Sequence, residues 1–207
     1  MSSTAAGSPT GSTRTPDVRV RRATPDDAEA IERIRVETWR ATYRGLLPDG
    51  LIDGLRENAD QRRERLRVQQ ADQFFFVAED AGNVVGFAVG GPERSGDPAY
   101  RGEVYAIYVL PAHQGKGIGR ELIRESAREL ASRGLDSLLI WVLRENTIGR
   151  GFYERLGGRA VHEKPLEEFL GAEHHVEVGY GWPDTSSLRR PNRARDPSAA
   201  RPEGPSG

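Results

Sequence analysis

The sequence predicts an α/β domain in which an antiparallel hairpin leads into a strand-loop-helix unit. Three observations predict it: two neighbouring apolar runs split by a turn, glycines alternating between a strand and a helix, and an uninterrupted apolar run further on. The ends of the chain fall outside that domain. Residues 1–16 hold one apolar side chain larger than alanine, Met1, and residues 183–207 are mostly Pro, Arg, Ser, Gly, Asp and Ala. Neither end carries enough apolar surface to offset the entropy of ordering, so both are expected to be disordered tails around a domain at 17–182.

The elements follow in order. Val18-Arg-Val20-Arg-Arg22 alternates as a short strand. Thr24-Pro25-Asp26-Asp27 opens a helix, with a capping hydroxyl, a proline suited to the first position, and acids where the dipole favours them. Ala28, Ile31 and Ile34 continue it, and a second helical stretch after Pro48 carries Leu51, Ile52, Leu55 and Leu66. Phe74–Ala78 and Val84–Val89 read as strands joined through Asp80-Ala81-Gly82-Asn83. Glu103–Val109 is a further strand ended by Pro111. The next helix shows Ile118, Leu122, Ile123, Ala127, Leu130 and Ala131 on one face and stops at Gly134. Leu138–Val142 reads as a strand covered on both sides. Asn146 caps a short helix through Phe152, Tyr153 and Leu156 that ends at Gly157-Gly158, and strand material closes at Val176–Tyr180.

Composition excludes several classes. The 207 residues carry a net charge of -1, which gives no global steering toward nucleic acid or membrane. Arg189, Arg190, Arg193 and Arg195 form a local basic run, read first as a solvated tail. Cysteine is absent, so there is no disulfide, thiolate nucleophile or zinc-cysteine site. No apolar run reaches the roughly 18 residues of a membrane span, and the start lacks a signal peptide's apolar centre, so a cytoplasmic protein is expected. His174-His175 has no partner set at ligand spacing, and no metal is expected.

The chemistry centres on Val109-Leu-Pro-Ala-His-Gln114-Gly115-Lys116-Gly117-Ile118-Gly119-Arg120. Glycines between a strand's end and a helix's start leave backbone N–H groups unobstructed, and the helix N-terminus adds about half a positive charge. That makes a seat for a phosphate-bearing ligand, with Lys116 and Arg120 at the rim, or else a turn whose glycines serve only tight strand-helix packing. A magnesium-nucleotide loop fails because Gly117, not Ser or Thr, follows Lys116. A dinucleotide fingerprint fails because Leu122 stands where its third glycine belongs.

This sequence resembles the GNAT superfamily of acyl-CoA-dependent N-acyltransferases. The family's Gln/Arg-x-x-Gly-x-Gly/Ala motif is matched by Gln114, Gly117 and Gly119, after Tyr108-Val109-x-Pro111. Its Asn-x-x-small-x-x-Phe-Tyr-x-x-x-Gly motif is matched by Asn146, Gly149, Phe152, Tyr153 and Gly157. The resemblance implies a mixed, mostly antiparallel sheet of six to seven strands flanked by about four helices, with two strands splayed at the cofactor. It implies acetyl-CoA as co-substrate, its pyrophosphate on Gln114, Gly115, Lys116, Gly117, Ile118, Gly119 and Arg120. The pantetheine arm would lie along Ile107, Tyr108 and Val109, and Asn146 would bond it besides capping its helix.

The resemblance also implies catalytic roles. Tyr153 would protonate the departing thiolate, or else serve as a core tyrosine beside Phe152. Glu103, eleven residues before Gln114, stands where the histone-acetylating branch has its base, or else faces solvent at a strand edge. His113 is a second base candidate. Trp39 and Tyr43 share a helical face and either line the acceptor pocket or pack on the sheet. Glu163, Glu167, Glu168 and Glu173 either attract a cationic amine or form a solvated acidic loop. Trp141 stands where the ribosomal-protein branch carries its glutamate base, which disfavours that subclass. Gly157-Gly158 replaces the usual Gly-Phe. The expected reaction is direct attack by a primary amine, small-molecule or protein, in a ternary complex; homodimers are common among relatives. The alternatives are a non-catalytic acetyl-CoA sensor and a nucleotide-binding protein.

Overall fold

The computed structural model describes residues 18–68, 71–166 and 175–190. Its strands are β1 (Val18–Arg22), β2 (Phe74–Asp80), β3 (Asn83–Pro92), β4 (Gly102–Val109), β5 (Leu138–Leu143), β6 (Arg159–Pro165) and β7 (Val176–Trp182). Its helices are α1 (Ala28–Tyr43), α2 (Asp49–Gly54), α3 (Ala59–Arg67), α4 (Ile118–Ser132) and α5 (Thr147–Arg155). One seven-stranded sheet runs β1-β2-β3-β4-β5-β7-β6. Every neighbouring pair is antiparallel except β4 and β5.

Local chemistry explains the elements. Ala81 and Gly82 both take positive φ, 51° and 81°, which matches the twist of the β2–β3 hairpin. Thr24 precedes a short 3₁₀ turn, and Asp27 reaches back to accept from the Thr24 amide at 2.7 Å. The helical stretch after Pro48 is two helices rather than one: α2 ends where Leu55 turns extended (φ -60°, ψ 129°), and Asn58 starts α3 by accepting from the Gln61 amide at 3.0 Å.

The sheet buries both faces. On one, α4 and α5 cover Phe74, Val104, Ile140, Tyr180 and Trp182. On the other, α1 covers Phe75, Val77 and Phe87. A charged cluster ties α3 to α1. Glu32, 3% exposed, accepts from Arg35, from Arg62 and from the Asn58 amide. Burial works against its ionised form, but these donors outweigh burial and hold its pKa below the ordinary value. Asp27 is lowered too, burial again opposing and Arg21 and the Thr24 amide prevailing. A depressed carboxylate stabilises the fold above its unfolded pKa of about 4, and that contribution disappears as pH falls through the folded value. Urea denaturation is therefore expected to show a flat midpoint from pH 7 to 5 and a steep loss below pH 4. Glu32→Gln should flatten that loss.

The chain after Trp182 departs from expectation. Thr185 and Leu188 are buried, and the Thr185 amide donates to the Asp136 carbonyl at 2.9 Å. Leu188 joins the core beside α4, so residues 183–190 belong to the folded domain despite their polar composition. Residues 1–17 and 191–207, with the two tail expectations they carry, lie outside the described residues.

Gly158 also has a structural explanation. A Cβ there would stand 2.4 Å from the Trp182 ring, whose indole donates to the Leu156 carbonyl at 3.1 Å. Trp182 therefore occupies the space into which a side chain at position 158 would project. Gly158→Ala is expected to destabilise by about 1–3 kcal/mol through overpacking, measured as a lower denaturation midpoint at unchanged slope.

Candidate active site

β4 and β5 are neighbours only at their starts: Gly102 pairs with Leu138 and Glu103 with Leu139. Beyond these residues β4 runs on to Val109 beside β3 and β5 to Leu143 beside β7, without pairing with each other. The two strands therefore open a gap in the sheet. Tyr105 is an extra residue in β4, since Val89 faces Ala106 and Gly90 faces Val104, and such a bulge bends the strand. The Leu110 amide donates to the Val85 carbonyl, so alternation places the N–H and C=O of Val109 and Ile107 on the gap side. An extended ligand can pair with that edge.

The glycine loop stands at the open end of the gap. A 3₁₀ turn, Pro111–His113, leads to Gly115 and Gly117, both with positive φ (73° and 84°). Gln114–Gly117 are exposed, and the Gln114 amide side chain donates to the Val109 carbonyl at 3.0 Å, tying loop to strand. The first backbone bond of α4 runs from the Glu121 N–H to the Gly117 carbonyl. Helix geometry therefore leaves the Ile118, Gly119 and Arg120 amides without a helical acceptor. Lys116 and Arg120 are exposed beside them. Gly119 has a second reason to be glycine, since a Cβ there would meet Phe152 at 3.1 Å. Loop, free amides and unpaired strand edge together fit a ligand with a diphosphate at one end and an amide-bearing arm.

Aromatic side chains gather on the gap from α1, β4 and α5. Trp39 donates its indole N–H to the Tyr108 hydroxyl at 2.9 Å and meets Tyr43 edge-on at 5.0 Å. Asn146 caps α5 by accepting from the Gly149 amide at 2.9 Å, and its side chain is within hydrogen-bonding reach of Tyr43. A Cβ at Gly149 would stand 2.9 Å from the Asn146 amide nitrogen, which explains a glycine inside this short helix. Tyr153 is buried against Tyr180 and Trp182. Burial, then the proximity of Tyr108, raises its pKa well above the ordinary phenol value. Burial likewise raises Tyr43 and Tyr108.

Glu103 is not placed as a free base. It is 3% exposed, and its carboxylate accepts from Arg94 Nη2 at 2.6 Å, Arg94 Nε at 3.1 Å and the Arg94 backbone N–H at 3.2 Å. The guanidinium also lies over the Tyr105 ring at 3.8 Å. Spacing alone carries no information about this partner on another loop. The ion pair fastens the β3–β4 connection to the root of the gap. Glu103→Gln is expected to keep kcat within about threefold at pH 7.5 while lowering stability by about 1–3 kcal/mol, the cost of weakening the charge-assisted bonds between this buried carboxylate and the exposed Arg94 side chain.

His113 stands 3.3 Å from Asp80 at the hairpin turn. Glu163 pairs with Arg144 at 2.5 Å, and His175 lies 3.9 Å from Glu145; Glu167, Glu168, Glu173 and His174 lie outside the described residues. No group of three or more metal-ligating side chains is found among the described residues, and no helix there is long and apolar enough to cross a membrane.

The face of β5, β7 and β6 away from α4 and α5 holds a cluster that the sequence does not announce. Trp141, Lys164 and Glu177 meet there, and His162 pairs with Asp97 at 2.5 Å. Strand alternation offered the only signal for the first three. The His162–Asp97 pair, between a strand and a distant loop, left none.

Residues 31–158 match a family model described as the acetyltransferase (GNAT) family. The uncharacterised N-acetyltransferase YuaI of Bacillus subtilis is 34% identical over 172 residues, 83% of this chain and 96% of that protein. The mycothiol acetyltransferase of Frankia casuarinae is 33% identical over 161 residues, 74% of this chain but 45% of that longer protein. Among solved structures, YncA from Salmonella typhimurium with its cofactor acetyl-CoA superposes with a TM-score of 0.62 at 24% identity, covering 80% of this chain and 92% of that one.

Proposed function

The chain belongs to the acetyltransferase (GNAT) family and is an N-acetyltransferase, and from that premise we propose how its own residues carry the transfer to a primary amine. The observation that carries the reading is the gap where β4 leaves β5, with a loop of unobstructed amides at its mouth.

The amides of Gly115 to Arg120 bind the diphosphate of acetyl-CoA, with Lys116 and Arg120 adding charge. The gap-side edge of Ile107 and Val109, where Gln114 already holds the Val109 carbonyl, takes the pantetheine arm as an added strand, and Asn146 bonds it from α5. Acetyl-CoA supplies an acetyl group activated as a thioester: the amine nitrogen gains the bond to the carbonyl carbon, the sulfur loses it, and the amine's proton leaves to water. A backbone N–H on the gap side of β4 polarises the carbonyl. Tyr153 donates its hydroxyl proton toward the sulfur as the C–S bond breaks and takes one back from water, so the proton lost by the amine balances the one gained by the thiol. Burial keeps that phenol neutral through the working pH range, so the donor is always loaded. Trp39 and Tyr43 wall the acceptor side.

The test is CoA release, followed with a thiol reagent, against a panel of primary amines. Release with at least one amine, dependent on both substrates, is expected. Tight acetyl-CoA binding without release from any amine would identify a non-catalytic sensor instead.

A further inference from the structure

On the sheet face that α4 and α5 leave uncovered, the ammonium of Lys164 sits 4.2 Å from the centre of the Trp141 ring and 3.6 Å from a Glu177 carboxylate oxygen. The register explains how three strands bring them together. Trp141 of β5 stands opposite Gly179 of β7, and Glu177, two residues along β7, stands opposite Lys164 of β6. Gly179 is what lets the ring lean: a Cβ there would meet Trp141 at 3.1 Å. An indole face and a carboxylate are the two groups that hold an ammonium best, one through the ring quadrupole and one through charge.

The position of this cage is as informative as its chemistry. Trp141 lies two residues past Leu139, the last β5 residue paired with β4, so its ring borders the gap. Glu177 is close enough for its charge to act on the phenols of Tyr43 and Tyr108, which lie on the gap's other margin. Its own contacts include more than the Lys164 pair.

We infer that Trp141 and Glu177 form the seat for the acceptor's ammonium group, and that Lys164 fills this seat in the free protein and yields it to the acceptor. The acceptor class is then a cationic primary amine, whose charged nitrogen is held beside the gap before it loses its proton. A neutral or anionic amine would leave the Glu177 charge poorly matched. The inference rests on the acetyl-transfer reading for its meaning, but the seat itself is testable without acetyl-CoA.

The probe is propylammonium chloride, with propan-1-ol as the neutral control of similar shape and sodium chloride as the salt control. The readout is the indole N–H resonance of Trp141, one of three tryptophans and identified by its loss in Trp141→Phe. Lys164→Met removes the resident ammonium from the seat, and its half-exposed position makes the change tolerable to the fold. Lys164→Met is expected to bind propylammonium about tenfold more tightly than the native chain, and Lys164→Met with Glu177→Gln should lose that gain. Propan-1-ol should shift the resonance in none of them. Equal propylammonium affinity in native and Lys164→Met protein, or an equal response to propan-1-ol, would overturn the seat. Should the seat bind the cation while no amine ever releases CoA, the transfer reading fails and the seat stands.

Discussion

Replacing Gly117 with valine is expected to weaken acetyl-CoA binding about 100-fold while leaving the domain folded. Gly117 is the N-cap of α4 at φ 84°, a left-handed conformation that a β-branched side chain strongly disfavours. A Cβ at this position meets nothing within 4 Å, so valine causes no clash in the core. Its cost is conformational: the loop must turn, and the amides on either side no longer converge. Losing one or two charge-assisted hydrogen bonds to a diphosphate, at about 1.5–3 kcal/mol each, corresponds to a loss of roughly two decades in affinity. Calorimetric titration with CoA reads the loss, and thermal unfolding of the same sample should move by only a few degrees. Lys116→Ala is the contrasting case: an exposed charge at the rim should cost a few-fold, and less as salt is raised.

Tyr153→Phe is expected to lower kcat about 100-fold with the KM for acetyl-CoA within about threefold, the range for removing a positioned proton donor. Phenylalanine keeps the ring on Tyr180 and Trp182, and the Tyr153 hydroxyl makes no hydrogen bond among the described residues, so the packing survives. The pH dependence adds a second check. Burial first, then Tyr108, raises this phenol above its ordinary pKa of about 10, so it stays protonated from pH 6 to 9. The native kcat should therefore show no alkaline fall below pH 9 from this group, and the deficit of the variant should be constant across that range. An unchanged kcat would assign Tyr153 to packing alone.

What the sequence made legible follows from what is local. The hairpin at Ala81-Gly82, the α4 stripe and the Asn146 cap each depend on residues within a few positions of one another, and periodicity or turn chemistry reads such relations directly. The family motifs extended that reading to the splayed strands, which no local pattern announces. Long-range pairing stayed hidden. Its spacing to Gln114 offers Glu103 as a base, whereas its carboxylate is held by Arg94, presented by the β3–β4 loop. Glu32 on α1 is held by donors from α3 and its cap, 26 and 30 residues away, and Leu188 is drawn out of a polar stretch by the α4 side of the core. Gly158 looked like a missing aromatic until Trp182, on the neighbouring strand, proved to fill the space. The Trp141–Lys164–Glu177 cage is the same kind of relation, spread over three strands.

Acetyl transfer as proposed requires the amides after β4 to grip the diphosphate while the strand edge takes the arm. Backbone ¹H–¹⁵N spectra recorded during a CoA titration test both at once. The largest shifts are predicted at Gly115 to Arg120, with a second set at Ile107 and Val109 and little change along β1 and β2. Shifts centred anywhere else, or none at millimolar CoA, would contradict it.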